Sequence, residues 1–280
     1  MDQAALTEGL AEIPLGWLEY HPRTSSTNDE ASRLVQAGCP DLSLVVAGEQ
    51  TSGRGRLNRR WFTPPGAALA FSLVLVPDNA WLALDAQEVG TVLPRVTALG
   101  AVAVCQALET RYSLAAQIKW PNDVLVNQRK LAGVLVETTW EGELLKAVIL
   151  GIGLNIASHS VPPAAELLFP ATSLEDCLMA KMDDAERLAL LKDILERIRE
   201  WRVKVSGVEF IQAWQTKLAY LDEWVWIVPA QAQAGDSQSA VKVRILGLEA
   251  DGSLRVEDQN GTVRRYISAE VHLRPHSTDF

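Results

Sequence analysis

Apolar residues recur at helical spacing in four stretches of the chain, and this pattern predicts its helices. A long helix is expected over Gln87–Tyr112, a strongly amphipathic one over Glu186–Val205 and a shorter one over Phe210–Leu218. A fourth helix over Ala31–Val35 follows the segment Ser25–Glu30, whose hydroxyl and acidic side chains are typical of a helix N-terminus. Between these helices the pattern changes to runs of strand length.

Seven such apolar runs fall in the first 220 residues. Several of them follow one another through short turns, such as Asn127–Arg129, and this implies antiparallel pairing. We therefore predict an α+β fold in which a mainly antiparallel sheet is covered by helices on one side. Residues 1–15 carry no strong pattern, and we expect them to be partly disordered. The predicted strands are Leu15–Tyr20, Leu42–Ala47, Ala67–Val76, Ala115–Trp120, Asp123–Val126, Leu131–Thr139 and Leu144–Ile156.

The character of the chain changes near Leu221, after which short strands alternate with turns. Asp251–Gly252 and Asn260–Gly261 are hairpin signals, and Ala230–Ala240 is predicted to be a polar loop. We predict one domain over residues 1–221 and a small β-barrel over residues 222–280. The predicted barrel strands are Trp224–Val228, Val241–Gly247, Ser253–Val256 and Val263–Ile267.

Composition excludes several classes of protein. The chain has 280 residues, 48% of them hydrophobic, and a formal net charge of -9, which argues against a dedicated nucleic-acid or membrane-surface binder. Cys39, Cys105 and Cys177 are odd in number and widely spaced, so a disulfide framework is not expected. We see no signal peptide and no apolar run long enough to span a bilayer. A cytoplasmic protein without a membrane partner is expected.

One segment departs from the acidic balance. Gln50–Trp61, here called the arginine loop, contains four arginines, and no acidic residue occurs between Glu49 and Asp78. Gly53 and Gly55 allow its backbone to approach a ligand closely, and the arginines match carboxylate or phosphate groups. The arginine loop is therefore a candidate anion-binding loop, with a solvated surface turn and an RNA-binding segment as alternatives.

Three further segments carry polar groups at strand ends. Lys119–Asp123 follows a strand, Lys130–Glu137 begins an apolar strand with a lysine, and Gly151–Asn155 places two glycines in an apolar run. Glycine weakens a strand, so its presence suggests a close backbone approach or a ligand against the sheet. Ser26 and Thr27, at a helix N-terminus, leave spare donors for a polar ligand. These segments extend the arginine loop into a candidate site.

Together these segments resemble the motifs of the biotin protein ligase family, also called biotin–[acetyl-CoA-carboxylase] ligases or holocarboxylase synthetases. The resemblance runs from about Ser25 to Asn155, and the part after Leu221 is similar to the family's small C-terminal domain. It implies an α+β catalytic domain like that of class II aminoacyl-tRNA synthetases and biotin ligases, followed by an SH3-like β-barrel. The motifs are Ser26–Asn28, Gly53–Arg56 with Trp61, Lys119–Asp123, Lys130–Gly133 and Gly151–Asn155.

The resemblance also implies a two-step reaction. Biotin and ATP with Mg²⁺ form biotinyl-5′-AMP, and a specific lysine of a biotin carboxyl carrier protein then takes the biotinyl group. ATP and biotin are substrates, and no permanently bound cofactor is expected.

By the family pattern, each motif contributes residues with an expected role. The catalytic residues would be Lys130, Arg56 and Arg54. The biotin-binding residues would be Ser26, Thr27, Asn28, Gln50, Gly53, Arg54, Gly55, Arg56, Lys130, Gly133 and Gly151. The ATP-binding residues would be Arg59, Trp61, Lys119, Asn122, Asp123 and Asn155, with Asp123 a candidate for Mg²⁺ through pyrophosphate.

Other interpretations of the same residues remain. A lipoate–protein ligase of the same fold and a nucleic-acid-binding module that uses the arginine loop are the alternatives to a biotin ligase. Trp120 and Trp61 could be core or hinge aromatics, and Glu137 is expected to make a structural or interface contact rather than a catalytic one. About two dozen residues precede Ser26, too few for the DNA-binding domain of many bacterial relatives, so a monofunctional ligase without a DNA partner is expected. The sequence leaves monomer and homodimer open.

Overall fold

The computed structural model describes residues 1–77, 86–167, 169–229, 240–267 and 271–275, with a seven-stranded sheet at its centre. The strand order is β1-β2-β3-β7-β6-β5-β4, in which β1 and β2 are parallel and every other pair is antiparallel. The predicted mainly antiparallel sheet is confirmed. The strands are β1 (Leu18–His21), β2 (Ser43–Ala47), β3 (Ala68–Leu75), β4 (Ala116–Lys119), β5 (Asp123–Val126), β6 (Arg129–Glu141) and β7 (Leu144–Asn155).

Helices pack on both faces of this sheet, not on one face as expected. Because side chains alternate along a strand, Leu44 and Val46 join α3 and α5 in the main core, while Val45 packs with α2 on the other face. The short α2 covers only part of that second face and leaves room beside it for a site. The helices are α1 (Gln3–Gly9), α2 (Thr27–Gln36), α3 (Ala86–Tyr112), α4 (Leu174–Leu178), α5 (Asp184–Arg202) and α6 (Val208–Thr216).

The expectation that residues 1–15 are partly disordered is wrong. Asp2 caps α1 by accepting a hydrogen bond from the Ala5 amide at 2.9 Å. Leu6, Leu10 and Ile13 are all buried in the main core. Their spacing of four and three residues is a helical signal, and burial of these side chains stabilises a helix too short to be stable alone.

A second sheet of five antiparallel strands follows, in the order β11-β10-β9-β8-β12, and confirms the predicted small β domain. The last of its strands was not predicted. Of the predicted polar loop, residues 230–239 lie outside the described part of the chain. The strands are β8 (Trp224–Pro229), β9 (Val241–Leu248), β10 (Leu254–Asp258), β11 (Val263–Tyr266) and β12 (Val271–Pro275).

Trp120 joins the two sheets. Its side chain is buried, and its indole N–H donates to the Gly252 carbonyl at 3.0 Å in the turn between β9 and β10. Gly252 has a φ of +81°, and a side chain there would lie 2.7 Å from Trp214. One continuous apolar core therefore includes residues of both sheets. Trp120 belongs to this core, which is one of the two roles that the sequence left open for it. The boundary at residue 221 stays a prediction.

One described helix segment, Val92–Tyr112, is long and apolar enough to cross a membrane by length and composition, contrary to the expectation that no apolar run reaches that length. Within its apolar 18-residue stretch, 67% is buried inside the protein, and a core helix gives the same pattern.

Candidate active site

A cavity opens on the face of the sheet that α2 covers only in part. The arginine loop forms one wall, the N-terminus of α2 forms another, and strands β6 and β7 form the floor. Floor residues have the strand parity opposite to the main core, which is why Gly133, Leu135, Gly151 and Gly153 face the cavity. The site therefore depends on strand register as well as on local motifs.

One end of the cavity is built from uncharged polar groups. The backbone N–H of Thr27 donates to Gln50 Oε1 at 2.8 Å, and the Thr27 hydroxyl donates to the same oxygen at 3.2 Å. Gln50 Nε2 in turn donates to the Thr63 hydroxyl at 3.2 Å. Ser26 is the N-cap residue of α2, yet its side chain makes no capping bond. This end, called the neutral end below, suits a ligand with uncharged donors and acceptors.

The glycines of the floor make room for protein side chains. A Cβ at Gly151 would lie 2.2 Å from Asn28 Oδ1, and one at Gly153 would lie 2.3 Å from Trp61 Nε1. Gly133 also faces Trp61, at 3.1 Å. The indole N–H of Trp61 is buried and has no hydrogen-bond partner within the described chain. The close approach expected at these glycines is therefore made by Asn28 and Trp61.

The opposite end, called the charged end below, is centred on Asp123. Lys130 Nζ lies 2.6 Å from one Asp123 oxygen, and Lys119 Nζ lies 3.9 Å from the other. Burial favours the neutral carboxyl, but Lys130, Lys119 and Arg56 outweigh burial and hold the pKa of Asp123 below its ordinary value. Asp123 is therefore ionised at neutral pH, and it orients the Lys130 ammonium.

The two arginines with predicted catalytic roles have different partners. Arg54 bonds two protein carboxylates, Asp29 and Glu137, the latter at 2.9 Å. Arg56 donates to Asn122 Oδ1 at 3.1 Å, and burial lowers its pKa despite the nearby Asp123 charge. Arg56 thus reaches the charged end, whereas Arg54 anchors the arginine loop to α2 and β6.

A second cavity adjoins the charged end. Lys119, Asp123 and Lys130 line both cavities, so these charged groups lie where the two spaces meet. Asn155 faces the second cavity and donates to the Thr172 carbonyl at 3.0 Å. Phe169 also lines it, with Lys119 Nζ 3.9 Å from its ring centre. This arrangement can hold two ligands that meet at Lys130.

The structure brings the predicted site residues together. All of them line the first cavity except Gly53, which packs under the Trp61 carbonyl, and Asn155, which lines the second. Sequence reasoning missed Ser72 and Phe169. Ser72 was detectable as a lone hydroxyl in the apolar strand β3, whereas Phe169 lies in a loop with no comparable signal.

The site offers few side-chain ligands for Mg²⁺. Among the described residues, no three His, Cys, Asp or Glu side chains form a metal-binding group. Asp123 offers one carboxylate, already paired with Lys130. One carboxylate suits a magnesium ion that enters with phosphate ligands, which is the common way proteins bind Mg²⁺.

A site of this kind can bring two ligands together at one lysine–aspartate pair, which is the arrangement that a ligase needs. The model of the Biotin/lipoate A/B protein ligase family matches residues 20–155. Relatives that are 32% and 34% identical over more than two thirds of their own length show that the chain belongs to the biotin protein ligases of this family.

Individual relatives support this assignment. The bifunctional ligase/repressor BirA of Bacillus spizizenii is 32% identical over 260 residues, which cover 91% of this chain and 74% of the relative. The biotin–[acetyl-CoA-carboxylase] ligase of Paracoccus denitrificans is 34% identical, with 78% and 85% covered. The biotin protein ligase of Aquifex aeolicus, solved with biotin and ATP, superposes with a TM-score of 0.70 at 27% identity, with 92% and 99% covered.

Proposed function

We propose that this chain joins biotin to ATP to give biotinyl-5′-AMP and then transfers the biotinyl group to a lysine of a biotin carboxyl carrier protein, such as that of acetyl-CoA carboxylase. The observation that carries the proposal is the meeting of two cavities at Lys130 and Asp123. The neutral end of the first cavity suits the uncharged ureido ring of biotin, and the second cavity suits the nucleotide.

In the first step, a biotin carboxylate oxygen attacks the α-phosphorus of ATP, and pyrophosphate leaves with the electron pair of the broken P–O bond. The two reacting groups are anions that repel each other. Lys130 and Arg56 place positive charge between them, which offsets this repulsion most where water is excluded. Asp123 holds the Lys130 ammonium in position at 2.6 Å.

In the second step, the amine nitrogen of the carrier lysine attacks the acyl carbon, and AMP leaves with the electron pair of the broken C–O bond. The nitrogen then loses its proton, and an amide remains. Because the mixed anhydride reacts with water, the arginine loop has to cover it until the carrier arrives.

Magnesium is included in the proposal as a partner of the nucleotide. Asp123 and Asn122 are the residues that would face it, and the ion would neutralise phosphate charge. The protein is proposed to work in the cytoplasm, since Cys39, Cys105 and Cys177 are free thiols of the kind a reducing compartment preserves.

The proposal is tested by mass spectrometry of a biotin carboxyl carrier domain after incubation with the protein, ATP, Mg²⁺ and biotin. One biotinyl addition on the carrier is expected. A parallel reaction supplies lipoate and a lipoyl acceptor domain. Lipoyl transfer without biotinyl transfer would overturn the proposal in favour of a lipoate–protein ligase.

A nucleic-acid-binding role for the arginine loop is not favoured. Arg54 is held by Asp29 and Glu137, so its charge is directed inward to protein carboxylates. The protein is expected to pass through columns of immobilised DNA and RNA without being retained, even at low salt.

A further inference from the structure

Glu137 lies at the junction of three parts of the site. It is on β6, and its side chain leaves the same face of the strand as the floor residues Gly133 and Leu135. Its two oxygens accept from Arg54 Nη2 at 2.9 and 3.2 Å, and Oε2 also accepts from Asn28 Nδ2 at 2.6 Å. One carboxylate therefore binds the arginine loop and the first turn of α2 at once.

The contact continues into the neutral end. The buried Ser72 Oγ lies 2.6 Å from Asn28 Oδ1 and 2.7 Å from Thr27 Oγ1. Thr27 bonds Gln50, as described above. The Asn28 amide also packs directly on the backbone of Gly151, where a Cβ would lie only 2.2 Å from Asn28 Oδ1. A chain of polar contacts therefore runs from Arg54 through Glu137, Asn28 and Ser72 to Thr27, and the single Ser72 hydroxyl proton serves one of its two neighbours at a time.

The charges explain why Arg54 can serve as the fixed point of the arginine loop. Asp29 and Glu137 together supply two negative charges to one guanidinium, and both raise the pKa of Arg54 against the opposing effect of its burial. Arg54 is thus held more firmly by the protein than a lone surface arginine is. Glu137 links Arg54 directly to Asn28, because its carboxylate bonds both of them, while Asp29 ties Arg54 to the same turn of α2.

We propose that Glu137 is a positioning residue, which fixes the arginine loop relative to the neutral end so that contacts to biotin there and closure over the acyl-adenylate are made together. This inference rests on the proposed function. It assigns Glu137 and, behind it, Ser72 a role that the sequence motifs did not indicate, since Glu137 was expected to make a structural or interface contact.

The test substitutes Glu137→Gln, which keeps the shape. Glutamine removes the negative charge and replaces Oε1, which accepts from Arg54 Nη2 at 3.2 Å, with an NH₂ group that cannot accept, so the charged two-oxygen contact to Arg54 is lost. Loss of a hydrogen bond to a charged group is expected to raise the KM for biotin about tenfold. The KM for ATP and the midpoint of thermal unfolding should stay near the wild-type values, because the Lys130–Asp123 pair is untouched. Glu141→Gln is the matched control, on the same strand in an exposed pair with Lys146.

A double-mutant cycle separates positioning from general loss of structure. If Glu137 acts through Asn28, Asn28→Ala combined with Glu137→Gln should raise the KM for biotin little more than Asn28→Ala alone. Additive effects, or equal increases in both KM values, would overturn the inference. Inactive wild-type protein would contradict the proposed function, whereas active wild type with unchanged Glu137→Gln kinetics would contradict only the role of Glu137.

Discussion

The neutral end and the charged end of the first cavity are built on different principles. At the neutral end, Thr27, Gln50 and Thr63 bond one another, and the donors and acceptors are balanced. At the charged end, Lys119 and Lys130 both approach one carboxylate, that of Asp123, with Arg56 nearby. The neutral end has no net charge, whereas the charged end keeps an excess of positive charge for anionic ligands.

This difference separates recognition from chemistry. A buried hydrogen-bonding group discriminates between ligands because a ligand that lacks the matching group leaves it unpaired. A fixed cation accelerates the reaction only where charge changes in the transition state. Substitutions at the neutral end should therefore change the KM for biotin, and those at the charged end should change the rate of adenylate formation.

The largest effect is expected for Lys130→Ala. Removing a preorganised charge at the reacting atoms should lower the rate of adenylate formation on the order of 10²–10³-fold. Biotin-dependent exchange of pyrophosphate into ATP measures this step without the carrier. Lys146→Ala is the control, since Lys146 lies on β7 away from the cavity, 2.8 Å from Glu141. Exchange within a few-fold of wild type in Lys130→Ala would remove the distinction between the two ends.

The second effect concerns stability at the charged end. Asp123→Asn leaves Lys130 and the buried Lys119 without their carboxylate, which should lower the free energy of unfolding at neutral pH by about 2–3 kcal/mol. Because the folded pKa of Asp123 lies below its ordinary value of 3.8, this stabilisation is complete above that value and is lost as the pH falls through the folded pKa. The difference between the two proteins should therefore shrink in acid.

Urea unfolding of wild type and Asp123→Asn, repeated as the pH is lowered below 3.8, measures this difference. Glu12→Gln is the control, because Glu12 pairs with Lys192 at the protein surface, where an ion pair contributes little to stability. If the free energies of unfolding of wild type and Asp123→Asn differ by the same amount at every pH, the charge of Asp123 is not the source of the stability.

Most residues of both ends could be named without a structure, because they lie in local motifs. These motifs are Ser26–Asn28 with Gln50 at the neutral end, and Lys119–Asp123 and Lys130–Gly133 at the charged end. The sheet also followed from local signals, since its strands are apolar runs joined by short turns. Both depend on neighbours in sequence, which patterns report directly.

The features that the sequence did not predict depend on contacts between segments that are distant along the chain. Ser72 and Glu137 meet Asn28 only because β3 and β6 present the same face at a common register, and no local pattern specifies that register. For the same reason, the placement of α2 on the face opposite α3 could not be read from its amphipathic pattern. The partners of Arg54 were missed because a pattern of arginines does not show which carboxylates they approach.

A smaller effect is expected at the neutral end. Thr27→Val keeps the side-chain shape and leaves Gln50 Oε1 bonded to the Thr27 backbone N–H. Loss of the hydroxyl should weaken binding by about 1–1.4 kcal/mol and raise the KM for biotin about fivefold to tenfold. The KM for ATP is the internal control and should stay unchanged. If adenylate formation at saturating biotin fell as strongly as in Lys130→Ala, recognition and chemistry would not be separated along the cavity.

The smallest effect concerns retention of the intermediate. Arg56 donates to Asn122 at 3.1 Å and ties the arginine loop to the segment after β4. Removing this bond, of about 1 kcal/mol, should favour the open loop about fivefold, so that Arg56→Gly releases more biotinyl-5′-AMP into solution. Release is measured by chromatography of free adenylate in the absence of carrier. Arg56→Ala separates the two causes, because it removes the guanidinium without the backbone freedom of glycine. Equal leakage from both variants would assign the cover to the Arg56 side chain, and leakage no greater than that of wild type in either would show that the charged end retains its intermediate without Arg56.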